Sequence, residues 1–169
     1  LKRNYSRFMA KYKLLSQEEL KEFKNEFIQY LIVNGIDAAS WEKMKSEQPQ
    51  HAAQILALFS DVVYEKILRK AKYLINAFNN TLFAFHYKET EAELIIVKLK
   101  TDMHVEWTNH EGLLKKVQTK PSDFAIHQQV KAYVKTREQE VLEMMESGCK
   151  IDEGDLFNKL KLYLSTKSN

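Results

Sequence analysis

The stretch Thr81-Leu82-Phe83-Ala84-Phe85-His86-Tyr87-Lys88-Glu89-Thr90-Glu91-Ala92-Glu93-Leu94-Ile95-Ile96-Val97-Lys98-Leu99 decides the fold. Its period is two. Phe83, Phe85 and Tyr87 alternate with Leu82, Ala84 and His86, and Ile95, Val97 and Leu99 alternate with Leu94, Ile96 and Lys98. The polar run from Lys88 to Glu91 separates the two segments, so they predict a β-hairpin. An odd loop of three or five residues would set Phe85 beside Ile95 and Phe83 beside Val97, on one inward face. A two-residue loop would pair Phe85 with Leu94 instead. The expectation is the odd loop, with the aromatic residues buried and Lys98 and Lys100 facing away.

Helical patterns flank the hairpin. Ser16-Gln17-Glu18-Glu19 is a capping box ahead of Leu20, Phe23, Phe27, Tyr30 and Leu31 at helical spacing, and Asn34-Gly35 closes that helix. Asp37 caps a short second helix carrying Trp41 and Met44. Pro49 opens a long third one, on which Leu56, Phe59, Val63, Ile67, Leu74 and Phe78 recur until Asn79-Asn80 breaks it. Beyond the hairpin, Thr108 or Asn109 caps a helix holding Leu113, Leu114 and Val117, which stops before Pro121. Phe124-Ala125-Ile126-His127 reads as a third strand. A helix near Tyr133 to Ser147 ends at Gly148, and Asp152 caps a last one with Leu156, Leu160 and Leu164.

The fold class expected is therefore α+β and predominantly helical, with five to six helices packed on a hairpin of two to three antiparallel strands. Residues 1–8 read as a basic extension before an ordinary bacterial start at Met9, residues 9–164 as one domain, and residues 165–169 as a frayed tail. Hydrophobic residues at 44% and charged ones at 29% give a real core and exclude wholesale disorder. Twenty-six basic residues against 23 acidic ones leave a net charge of +3, too balanced to mark a dedicated nucleic-acid binder. A single cysteine, Cys149, excludes an internal disulfide and fits a reducing compartment. With no apolar run of membrane-spanning length, the expected location is the cytoplasm.

Each chemistry-bearing cluster has a plainer reading beside it. His104, Glu106 and His110 supply ligand types for a metal-dependent hydrolase, but His110-Glu111-Gly112-Leu113-Leu114 lacks the second histidine of the zinc-protease helix. No metal or cofactor is expected. Glu91 or Glu93 with Lys98 and Lys100 resembles a nuclease hairpin only in residue type, because Glu93 and Lys98 lie on opposite strand faces. Cys149 follows a helix C-terminus, where the dipole disfavours a thiolate. Lys66, Arg69 and Lys70, with Lys115 and Lys116, gather near helix ends and form a candidate surface for an anionic partner.

Several segments resemble a family of small bacterial cytoplasmic proteins known only as a domain of unknown function. They are Tyr12-Lys13-Leu14-Leu15-Ser16, Ile32-Val33-Asn34-Gly35-Ile36, Phe59-Ser60-Asp61-Val62-Val63, Leu94-Ile95-Ile96-Val97 and Glu143-Met144-Met145-Glu146-Ser147-Gly148-Cys149. The resemblance covers most of the chain after Met9 and brings no catalytic residue with it.

Three functional readings follow. The first is a non-catalytic binding or interaction domain that meets a protein partner, or a second copy through an open hairpin edge at Leu94, Ile96 and Lys98. The second is a nucleic-acid-associated factor using the lysine-rich helix ends. The third is a small hydrolase at His104, Glu106 and His110.

Overall fold

Ser16, Asp37 and Asn109 cap helices where the sequence places them, whereas Asp152 ends a strand and the last helix starts at Asp155. In a computed structural model that describes residues 10–167, Ser16 Oγ accepts from Glu19 N at 3.1 Å while Glu19 Oε2 accepts from Ser16 N at 2.7 Å. Asp37 accepts from Ser40 N at 2.7 Å and Asn109 from Gly112 N at 2.9 Å. Each cap satisfies one of the amides that a helix start leaves without a partner. The expectation for residues 1–8 lies outside the described residues.

The chain divides into two compact units, Leu1–Ile67 and Leu68–Asn169. The described part of the first is helical: α1 (Gln17–Glu22), α2 (Lys24–Val33), α3 (Ala38–Glu47) and most of α4 (Pro49–Lys70). Phe59 on α4 is almost fully buried and gathers the rings of α2. Phe27 stands 4.9 Å from it and Tyr30 5.4 Å, and Trp41 meets Phe27 edge-on at 5.3 Å. Ser60 Oγ accepts from Leu15 N at 3.1 Å, and the Asp61 carboxylate takes the amides of Lys11 and Tyr12, so the incoming chain is pinned along α4.

The second unit holds an antiparallel sheet in the order β4-β3-β2-β1-β5, formed by β1 (Tyr73–Phe78), β2 (Thr81–Tyr87), β3 (Glu91–Leu99), β4 (Phe124–Ala132) and β5 (Lys150–Asp152). Helices α5 (His110–Thr119) and α7 (Asp155–Lys167) cover one face. Leu82, Ala84, Ile95 and Val97 there pack with Leu113, Val117, Leu156, Phe157 and Leu160. Helix α6 (Arg137–Glu146) starts from a second capping box, Thr136 with Gln139.

Three expectations fail here. Among the described residues there are five strands and seven α-helices, not a two- or three-stranded hairpin with five or six helices. Tyr73–Phe78, taken as the end of the long helix, is a strand, and Asn79 with φ +52° turns it into β2. The hairpin register is also reversed. Phe85 pairs with Leu94 and Ala84 with Ile95 across an even connection, so the inward face is Leu82 and Ala84 with Ile95 and Val97. Phe83 and Phe85 share the opposite face with Leu94, Ile96 and Lys98, so Lys98 does not point away from the aromatic residues.

Gly154, at φ +93°, leads into α7 beneath the Tyr73 ring. A Cβ there would stand 2.5 Å from two ring carbons, and the left-handed backbone strains any other residue. Gly154→Ala is expected to cost about 2–3 kcal/mol in urea unfolding. A loss below about 0.5 kcal/mol would mean that the ring moves aside freely.

Candidate functional site

Backbone pairing on the outer strand β4 can be assigned residue by residue. In an antiparallel ladder, alternate residues exchange hydrogen bonds with one neighbour and direct their own groups to the other side. Lys100 N donates to Asp123 O at 2.8 Å, which extends the β3–β4 register in which Lys98 faces Ala125 and Ile96 faces His127. The odd-numbered residues of β4 therefore bond β3, and Ile126, Gln128, Val130 and Ala132 direct N–H and C=O outward. Among the described residues, none pairs with these four on the outer side. From His127 to Ala132 the strand is exposed, and Val130 keeps 55% of its surface.

Beside this edge the sheet and α6 enclose a groove of about 490 Å³. Its floor is Phe85, Tyr87, Ala92 and Leu94, its outer lip Gln129, Val130 and Lys131, and its far wall Glu140, Glu143 and Met144. Glu140 fixes the wall to the lip. Its carboxylate accepts from Val134 N at 2.7 Å, Lys135 N at 3.2 Å and Lys131 Nζ at 3.1 Å. Burial pushes the carboxyl up, but these donors outweigh it and hold the group below its ordinary value. A second pair, Lys135 with Glu143, closes the rim.

Arg137 and Tyr133 lock the end of this site. The Arg137 guanidinium donates to the carbonyls of Leu68 at 2.9 Å, Ala71 at 2.6 Å, Tyr87 at 3.3 Å and Lys88 at 3.2 Å. One side chain thereby joins the last turn of α4, the connection into β1 and the end of β2. Tyr133 Oη sits 2.8 Å from the carbonyls of both Lys88 and Glu91, and its ring stacks with Tyr87. Burial pushes the Tyr133 phenol up to about 12, so it stays a proton donor at neutral pH.

On the α7 face, Glu93 is buried at 5% exposure between Lys88 Nζ at 2.5 Å and Lys161 Nζ at 2.6 Å. Burial raises its carboxyl, the two ammonium groups more than offset that, and the group lies below its ordinary value. His86 stacks on Tyr73 at 4.4 Å, and burial holds its imidazole below the ordinary value of 6.5.

The residues singled out from sequence are scattered. Leu94, Ile96 and Lys98 lie on β3, an interior strand paired with β2 and β4, so they form no edge; the edges are β4 and the short β5. Arg69 lines an open hollow of about 460 Å³ with Lys72, His86, Lys88, Arg137 and two glutamates. Neither Lys115 nor Lys116 from α5 lines that hollow, and Lys116 Nζ is bound to His104 O at 3.0 Å. Lys70 ends α4, and Lys66 belongs to the first unit. His104 and Glu106 share a shallow hollow that does not include His110, the first residue of α5. Cys149 is buried, and burial pushes its thiol up. The edge and the groove were missed as a site, although Phe124-Ala125-Ile126-His127 signalled the strand.

The fold and this edge define an α+β protein whose second unit ends in an open, antiparallel strand. The chain belongs to the DUF6495 family, a family of unknown function, whose model matches residues 9–165. No curated protein and no solved structure matches it. Among the described residues, no helix is long and apolar enough to cross a membrane.

Proposed function

We propose that this chain is a protein-interaction domain that receives an extended polypeptide segment along β4. One observation carries the reading. Four successive outward-facing residues of a nine-residue strand, Ile126 to Ala132, present backbone donors and acceptors with no partner among the described residues. Such a row is a template for another strand, because it supplies main-chain hydrogen bonds without regard to the incoming side chains. The groove behind Gln129 and Lys131 then takes alternate side chains of that segment, with an apolar floor and a charged rim to discriminate among them.

Gln128→Pro tests it. Proline at this position removes an N–H that β3 does not use and places its ring where an added strand would lie. Extended peptides selected from a random display library on the native protein are expected to bind the Gln128→Pro variant at least tenfold more weakly, about 1.4 kcal/mol. The variant should retain native thermal unfolding. Equal binding to both proteins, or no peptide enriched on a native protein that is monomeric, would overturn the reading.

A further inference from the structure

We propose that the strand received by β4 is β4 of a second copy, paired antiparallel about Gln128. This rests on the preceding reading and names the partner of the same edge.

The geometry that permits it is a matter of parity. A two-fold axis at Gln128 sets Gln128 opposite its own copy, Ile126 opposite Val130 and Phe124 opposite Ala132. Ile126, Gln128, Val130 and Ala132 direct both backbone groups outward, while Phe124 offers its carbonyl alone because its N–H donates to Pro121 O, so each pair falls at a hydrogen-bonded position of the new ladder. Gln128 is also the middle residue of Phe124–Ala132, so this axis gives the longest ladder the strand can make with itself.

The side chains agree with that register. On the α5–α7 face, Ile126 covers Val130 of the second copy, and Val130 is the exposed apolar residue of the edge. On the groove face, Lys131 meets Ala125 and His127 meets Gln129, so no like charges stand opposite. Moving the axis to His127 would set two imidazoles against each other. Moving it to Gln129 would set His127 against Lys131, a repulsive pair whenever the imidazole is protonated. The favoured register also brings His127 of the second copy alongside Gln129 at the groove's outer lip, so two-fold pairing completes both grooves.

Residue-resolved amide exchange, together with light scattering from micromolar concentration to about 1 mM, tests the proposal. The amides of Ala125, His127, Gln129 and Lys131 should be protected at every concentration, because they bond β3. Those of Ile126, Gln128 and Val130 should gain protection of at least tenfold as the mass rises to that of a dimer. Gln128→Pro and Val130→Lys should both remain monomeric, and Gln128→Cys should oxidise to a covalent dimer because residue 128 faces itself. A native protein that stays monomeric throughout, or a dimer that persists in both variants, would overturn the inference. Peptide binding that is lost in Gln128→Pro would in that event still support an edge that receives strands. Absence of both would remove the edge reading as well.

Discussion

Arg137→Ala is expected to lower the stability of the second unit by about 3–4 kcal/mol. The guanidinium is 14% exposed and donates to four carbonyls drawn from the end of α4, the connection into β1 and the end of β2. The last carbonyls of a helix have no partner within it, and here Arg137 supplies one to Leu68. Removing it leaves several partly buried acceptors to find water, each with a cost of about 1 kcal/mol or more. Arg137→Lys should recover little. An ammonium is a compact donor, and it cannot reproduce a planar fork that spans three segments. The chain has two tryptophans, Trp41 in the first unit and Trp107 in the second, so a Trp41→Phe background lets fluorescence follow the second unit during urea unfolding. A loss below about 1 kcal/mol for Arg137→Ala would show that the carbonyls are satisfied without the clamp.

The double variant Lys88→Met with Lys161→Met should cost about 2–3 kcal/mol at pH 7, and most of that loss should disappear by about pH 4.5. Glu93 is 7% exposed at its side chain, and without the lysines it becomes an uncompensated buried charge. Because Lys88 and Lys161 are themselves 35% and 43% exposed, the figure lies at the low end for breaking a buried pair. The sign reverses between the two proteins. In the native chain the Glu93 carboxyl lies below its ordinary value of 4.5, so its contribution is present above that pH and is lost as pH falls through the lower folded value. In the variant, burial acts alone and raises the carboxyl. Stability is then lost at neutral pH and regained as the group takes up its proton. Urea midpoints at the two pH values check this, and an equal deficit at both would show that Glu93 does not depend on the lysines.

The parts of this fold that depend on neighbours in sequence were legible. Ser16, Asp37, Pro49 and Asn109 each mark a helix start by local chemistry, and the structure has helices beginning there. The end of α4 was not legible. Leu74 and Phe78 continue its spacing, and no glycine or proline interrupts Lys70-Ala71-Lys72. The stop is secured in part by Arg137, 69 residues beyond Leu68. Hairpin register failed for a different reason. Alternation selects a register only when one face is apolar, and here both carry apolar residues: Leu82 and Ala84 towards α5 and α7, Phe83 and Phe85 towards the groove side. The candidate site was half legible. Phe124-Ala125-Ile126-His127 announced a strand, but its position at the sheet's margin follows only from the order of all five strands, and β1 and β5 carried no clear signal of their own.

The two margins of that sheet are unequal. β4 offers nine residues, while β5 offers three and leads within a few residues into α7. A sheet open along both sides can recruit copies without end and grow into a fibril. Here growth would stop after one addition, because pairing through β4 consumes the long side and leaves only the short one exposed. Self-pairing through β4, as proposed, would therefore give an assembly of finite size, with runaway polymerisation prevented by the brevity of Lys150-Ile151-Asp152.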